Sequence, residues 1–294
     1  MAYINHKRKA FTMLELIFVI VILGIVSSIG SEIIANVYKS YILERATHRS
    51  SVKTELAATQ LANRLLYSVP GTVIGRKTSD YDSYRDISNL DSEDYDILEW
   101  VAYDNDSFSA NITPGWSGFV DLKDSNATHL MTRGSNLDTA NTIIQSLTNN
   151  DTSIGDTAVF FPGQYNAYNI GYTDGGDSSG AIKVDASSTG NDLVVEDLTG
   201  KTISEFYKLS WTACALVPTT NADGTSDLVL YYDYQPWRGE KYTDDVAKHQ
   251  VLVRNVTVFK FVGSDNTIRF KVCQKEKITN DKSITICKEK AVIR

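Results

Sequence analysis

Residues 7–31 read KRKAFTMLELIFVIVILGIVSSIGS, and the order of charge, apolar run and lone glutamate in this stretch sets the organisation of everything after it. Lys7, Arg8 and Lys9 form a basic leader, and from Phe11 to Ser31 the only charge is Glu15. As a helix those residues rise about 30 Å, the thickness of a bilayer core. The basic side stays cytoplasmic, so the remainder of the chain is expected to face outward. Two ordinary readings are a secretory signal peptide cut near Ser28 and Gly30, and a plain signal anchor. Neither accounts for Glu15, whose carboxylate costs roughly 3 kcal/mol in hydrocarbon unless it has a partner or a task.

Lys7-Arg8-Lys9-Ala10-Phe11-Thr12-Met13-Leu14-Glu15-Leu16 resembles the prepilin processing site of type IV pilins and type II secretion pseudopilins. The resemblance implies that a prepilin peptidase cuts between Ala10 and Phe11, that Phe11 is then N-methylated, and that Glu15 serves assembly with other pilin or pseudopilin subunits. Ala10 stands where the family usually has Gly. A bacterial inner-membrane protein is implied, single-pass, with a cytoplasmic N-terminus and a periplasmic head that reaches a filament or the cell surface on assembly. Inner-membrane lipid is then a partner before assembly. Physically, a Glu15 carboxylate paired with the free amino group of a neighbouring Phe11 removes two isolated charges from hydrocarbon together. Close to the helix end, snorkelling to the headgroups is the other outlet for that charge. Major pilins of the family commonly carry a proline further along this helix; Glu32 occupies that place, which with the chain's size points to a minor subunit.

Helical signal continues past the apolar run. Neither Gly nor Pro occurs from Ser31 to Val69, and Pro70-Gly71 supplies the break. Ile34, Val37, Tyr38, Tyr41 and Ile42, then Val52, Leu56, Leu61 and Leu65, follow helical spacing. Beyond Pro70 the texture changes to short β-like runs, best at 97–103, 158–161, 209–217, 228–234, 251–262 and 267–272, with a short helix expected over 137–147. The Asp-, Ser- and Tyr-rich stretch 78–96 and the Gly- and Asp-rich stretch 173–180 read as loops. The expected fold class is α+β: a long N-terminal helix, transmembrane in its first half, packed on a C-terminal antiparallel sheet in a pilin-like head. Four segments result, namely a leader over 1–10, a transmembrane and filament-core helix over 11–31, an amphipathic stalk helix over 32–69, and an extracytoplasmic head over 70–294.

Composition narrows the function classes. The chain has 294 residues, 42% of them hydrophobic, enough to bury a substantial core. A formal net charge of -7 speaks against a nucleic-acid-coating protein, and no nucleic-acid partner is expected. Cys273 and Cys287 flank a polar turn-like segment between two β-like runs, which suits a disulfide in an oxidising compartment and resembles the C-terminal disulfide loop of many type IV pilins. Cys214 then remains as a buried free thiol, although a pairing that uses Cys214 is the alternative. No cofactor is expected, with calcium at Asp174 and Asp177, or at Asp223 and Asp227, as the one candidate. His129 and His249 stand without a catalytic pattern around them, and no GxSxG or complete phosphate loop occurs. Tyr81, Tyr84, Trp116 and Trp237 are candidates for recognition or for packing on the sheet. The expectation is a non-enzymatic filament subunit. A membrane-anchored adhesin or binding protein is the alternative, with an anchored envelope hydrolase behind it.

Overall fold

The computed structural model describes residues 12–90, 94–109, 113–264, 266–279 and 282–293. The chain divides into two compact units, one comprising the residues up to Arg49 together with Glu276–Ile284, the other Ser50–Lys275 with Thr285–Arg294. A single helix, α1 (Met13–Leu66), contributes to both. It runs unbroken through Gly24 and Gly30, because no proline removes a rung of its hydrogen-bond ladder. Its end is marked by the shift to shorter-range bonds, Tyr67 N–H to Arg64 O and Ser68 N–H to Leu65 O, just before Pro70.

The surface of α1 changes character along its length. From Met13 to Leu43 its large apolar side chains, apart from the half-buried Ile42, are exposed, Met13 at 84% and Ile34 at 71%. From Ser50 onward one stripe is buried: Ser50, Thr54, Ala57, Ala58, Leu61 and Leu65. Val52 and Leu56, which helical spacing places with that stripe, are exposed instead. The first four residues of the buried stripe are small and let the sheet approach the helix backbone closely, and Leu61 and Leu65 follow. There Ser50 Oγ donates to Gln274 Oε1 at 3.0 Å.

After α1 come β1 (Ile74–Lys77), β2 (Asp80–Asp86), β3 (Ile97–Ala102), α2 (Asn105–Phe108), β4 (His129–Met131), α3 (Leu137–Thr148), β5 (Ala158–Phe160), β6 (Ile182–Lys183) and β7 (Asp192–Val194). The C-terminal strands follow as β8 (Lys208–Ser210), β9 (Thr212–Thr220), β10 (Ser226–Tyr234), β11 (Lys248–Ser264), β12 (Thr267–Lys277) and β13 (Ser283–Ile293). Eight strands form the main sheet in the order β13-β12-β11-β10-β9-β3-β1-β2. The fold is α+β, with the long helix on a large antiparallel sheet, as its alternation of elements led one to expect. The stretch 78–96 departs from its loop reading, because Asp80–Asp86 pairs with β1 as an edge strand. An edge strand with one side open to water tolerates Asp and Ser, so its polarity hid it. The run 209–217 is split at Trp211 into β8 and β9, which lie in different sheets.

Both faces of the central strands are covered. Leu98, Trp100, Cys214, Leu216, Leu228 and Leu230 pack with the buried stripe of α1. On the opposite face Ile97, Val101, Ala213, Ala215 and Val217 pack with Phe160, Ile170, Tyr172 and Trp237 of the long excursions between strands. A third cluster, including Trp116, Leu130, Leu137, Ile144 and Phe161, forms the core of those excursions themselves. Period-2 alternation therefore decides which half of each strand meets the helix and which meets the excursions.

Within the second face sits a charged pair with no water contact. Arg76 Nε donates to Glu99 Oε2 at 2.7 Å, and both side chains are fully buried. Tyr234 donates its hydroxyl to Glu99 Oε1 at 2.8 Å, and Arg76 also donates to the Tyr172 carbonyl at 3.0 Å and to the Tyr81 carbonyl. The Tyr81 ring stacks on the guanidinium with its centroid 4.0 Å away. Burial, the largest single influence, works against the Arg76 charge, but Glu99 together with Tyr81 and Tyr234 raises the guanidinium pKa on balance. Gly171 (φ 91°) makes the approach possible, since a Cβ there would collide with the Pro236 carbonyl and displace the neighbouring Tyr172.

Cys273 and Cys287 form a disulfide across 14 residues of sequence, joining β12 to β13, and Cys214 is free and buried. Burial pushes the Cys214 thiol up to about 12, so it is inert at neutral pH. Cys287→Ser is expected to lower unfolding stability by about 3 kcal/mol in a urea titration, with wild type in reductant matching the variant. Glu99→Gln keeps the shape but strands a buried cation, and should lower the same quantity by about 3 kcal/mol. Replacing both partners by Met at 76 and Leu at 99 should recover most of that loss, which a four-way urea comparison measures.

Candidate functional site

The candidate site is the N-terminal segment. Ala10 and Phe11 lie outside the described residues. Glu15 sits in the first turn of α1, where Thr12 and Glu15 cap the helix reciprocally. The Thr12 N–H donates to Glu15 Oε2 at 3.4 Å, and the Glu15 N–H donates to Thr12 Oγ1 at 3.3 Å. This is a capping box, with two orphan donors of the first turn satisfied by each other's side chains. The signature Thr12-x-x-Glu15 is legible in the sequence, and it supplies a local reason for the glutamate that pairing with a neighbouring chain does not exhaust. A carboxylate at a helix N-terminus also meets the positive end of the helix dipole.

Downstream of that cap, the window that contains the apolar run has a mean hydropathy of 2.5, and none of it is buried. A helix apolar on every face with no protein cover needs either lipid or other helices around it. The arrangement is chemically simple: a capped carboxylate at the start of an apolar rod.

Elsewhere the head groups satisfy one another. Asp174 pairs with Lys241 at 2.9 Å, and Asp177 accepts from the Ser179 N–H at 2.8 Å. Asp223 accepts from the Thr225 hydroxyl at 2.6 Å, and Asp227 from the Asn221 amide at 2.9 Å and the Asn255 N–H at 3.1 Å. Among the described residues no group of three or more His, Cys, Asp or Glu side chains is placed to hold a metal ion. Trp116 and Trp237 are buried, each donating its indole N–H to a carbonyl, and Tyr81 and Tyr84 lie half-buried against Arg76. The two tryptophans are core residues, and the two tyrosines pack on Arg76 while keeping part of their surface exposed. His129 is not isolated, since the pairing of β4 with β7 brings its Nδ1 to 3.0 Å from Asp192 on the surface.

Two features were not picked out from sequence: the Arg76–Glu99 pair and Asp104. A charge inside an apolar strand, as in Ile97-Leu98-Glu99-Trp100-Val101, was the available signal for the first. Asp104 caps α2 through the Ser107 N–H at 3.1 Å, while its second carboxylate oxygen is buried without a partner. Burial raises its pKa to about 6, against 3.8 in the open chain, despite the bonds from Ser107. The folded state thus binds the Asp104 proton more tightly, so stability falls as pH rises from about 4 to about 6 and the full cost persists above.

The chain matches the model of the prokaryotic N-terminal methylation motif over residues 5–31. No curated protein matches the chain, and no solved structure does. The match supports a place in the type IV pilin and pseudopilin family, and with the apolar helix it supports membrane anchoring. Asp104→Asn keeps the cap and removes the charge; it should gain on the order of 2 kcal/mol at pH 7.5 and nothing at pH 3.5, read from urea unfolding at the two pH values.

Proposed function

We propose that this chain is a non-enzymatic minor pilin or pseudopilin of a type IV pilus or type II secretion-like filament. A prepilin peptidase would cut between Ala10 and Phe11, methylate Phe11, and release the subunit for assembly with other pilin or pseudopilin subunits. The observation that carries this reading is the conjunction of the motif over residues 5–31 with a helix whose apolar side chains are exposed from Met13 to Leu43. Before assembly, inner-membrane lipid covers that surface and the head stands in the periplasm. After assembly, the same surface packs on the equivalent helices of neighbours, which lose little because lipid and helix are similarly apolar.

Glu15 then has two successive partners. In the lone subunit it caps its own helix through Thr12. In the filament, the amino group freed at Phe11 of an adjacent subunit offers a full positive charge in a low-dielectric setting, a stronger partner than a neutral amide. The exchange is directional, because only a subunit already processed at Phe11 presents that amine. Glu32, in place of the family's common proline, and the large head favour a minor, tip or priming position over the filament's repeating subunit.

Mass spectrometry of the mature N-terminus, on envelopes from cells with and without the prepilin peptidase, tests the processing step. A chain beginning at methylated Phe11 only when the peptidase is present is expected; a start at Met1 or near Ser31 would leave an anchored or secreted binding protein. Glu15→Ala should retain membrane insertion while its recovery in sheared filaments falls at least about tenfold. Wild-type recovery of that variant would remove Glu15 from assembly.

A further inference from the structure

Beside the last turns of α1 a cleft of about 580 Å³ opens over the sheet, a size within the range of about 300–1,000 Å³ typical of small-ligand sites. Three cross-strand pairs make its floor: Ala102 with Thr212, Cys214 with Tyr232, and Leu230 with Gln250. Period-2 alternation puts all six on the sheet face that meets the helix, so the cleft crosses the strands from β3 to β11. One wall is the side of α1 that carries Gln60, Asn63, Arg64 and Tyr67, a set spaced three and four residues apart. The other wall runs from Tyr103 to Asp106, with Trp211 beside it.

The polar groups around this cleft are unspent. Gln60, Asn63, Arg64, Asp106 and Gln250 are exposed, and their side chains make no hydrogen bond or ion pair with another described residue. Loop acids elsewhere in the head are tied down, as Asp138 is by Thr189 and Gly190. Three of the five are amides, each offering donors and an acceptor in one plane, while Arg64 adds donors and Asp106 adds acceptors. Trp211 and Tyr232 are half-buried and contribute aromatic surface that the protein leaves partly uncovered.

These features select the occupant. Arg64 on one wall and Asp106 on the other disfavour a ligand of strong single-sign charge, since either end repels it. A hydrocarbon chain would take the amides out of water and give them no partner. A ring with apolar faces and a rim of hydroxyls, each both donor and acceptor, meets both requirements. We propose that the cleft binds a neutral saccharide, a short chain of pyranose rings that rests its apolar ring faces on Trp211 and Tyr232. Its hydroxyls bond to the amides of Gln60, Asn63 and Gln250, accept from Arg64 and donate to Asp106. The site lies wholly within the unit Ser50–Lys275, so it depends neither on processing at Phe11 nor on filament membership.

The probes are maltohexaose, cellohexaose and N-acetylchitohexaose, titrated into the full chain in lipid nanodiscs. Affinity is read by calorimetry and location by tryptophan fluorescence, because Trp211 is half-buried while Trp100, Trp116 and Trp237 are core residues. At least one probe should saturate below about 10 mM, with a fluorescence change that Trp211→Phe abolishes. Asn63→Ala and Gln250→Ala, both at exposed positions, should each weaken that binding at least about fivefold and leave the melting temperature unchanged. Thr243→Ala, exposed and outside the cleft, should do neither. Deacetylated chitohexaose and a hexamer of galacturonate should both bind at least about tenfold more weakly than the best neutral probe. No saturation by any neutral probe, a fluorescence change that survives Trp211→Phe, or indifference to both Asn63→Ala and Gln250→Ala would overturn the proposal. Equal binding of a charged hexamer would overturn it too, as would tighter binding of a capped Ser-Gly-Ser-Gly peptide, which assigns the cleft to main-chain amides.

Discussion

A helix with no charge from Leu16 to Ser31 and no protein cover there cannot be satisfied by one sheet, and this constraint shapes the rest of the molecule. A sheet covers one stripe of a helix, and α1 uses a sheet only from Ser50 onward, where its buried face is made of Ser, Thr, Ala and Leu. Ahead of that point the chain leaves the work to lipid or to copies of similar helices. The head has accordingly to be stable by itself, with a core that owes nothing to the residues before Ser50. Its means are a sheet covered on both faces and a disulfide at its C-terminal edge.

The Arg76–Glu99 pair is an instructive component of that head. Taken singly, each charge is expensive to bury; together with Tyr81, Tyr172 and Tyr234 every strong donor and acceptor at the centre is used. The network joins four strands of the sheet, β1, β2, β3 and β10, to the long excursion that carries Tyr172. Apolar residues of similar volume would be nearly as stable, but they would not fix which face of the excursion lies on the sheet or in what register. Specificity of docking, not raw stability, is what such a pair contributes.

Sequence reading reached the helix, the class of fold and most long strands because these depend on local patterns: an apolar run, a stretch free of Gly and Pro, and period-2 alternation. It missed what depends on neighbours. Asp80–Asp86 looked like a loop because a strand at a sheet edge carries no apolar requirement on its open side. Of the four apolar residues that helical spacing groups in this half, Leu61 and Leu65 are buried while Val52 and Leu56 are exposed, because Ser50, Thr54, Ala57 and Ala58 occupy the contact with the sheet at that end. At the N-terminus, the basic leader and Glu15 were readable at once, whereas the reciprocal bond between Thr12 and Glu15 was overlooked since the glutamate already had a purpose assigned to it. Asp104 offered no signal in sequence, since its burial follows from contacts distant in the chain, its N–H donating to the Leu209 carbonyl and its carbonyl accepting from the Trp116 indole.

The uninterrupted ladder of α1 has a mechanical consequence. A helix broken by proline has a place where a few residues can unwind and lengthen the chain at little energetic expense, so tension is absorbed locally. From Met13 to Leu66 there is no such place, and Gly24 and Gly30 weaken the rod without severing any of its bonds. Load applied along this element passes to the stretch from Ser50 onward, where Gln274 holds Ser50 and where Leu61 and Leu65 pack with Trp100 and Leu216. The subunit would behave as a stiff link and not as a spring, and under force the sheet core around those two leucines, not the helix, is the part that must hold.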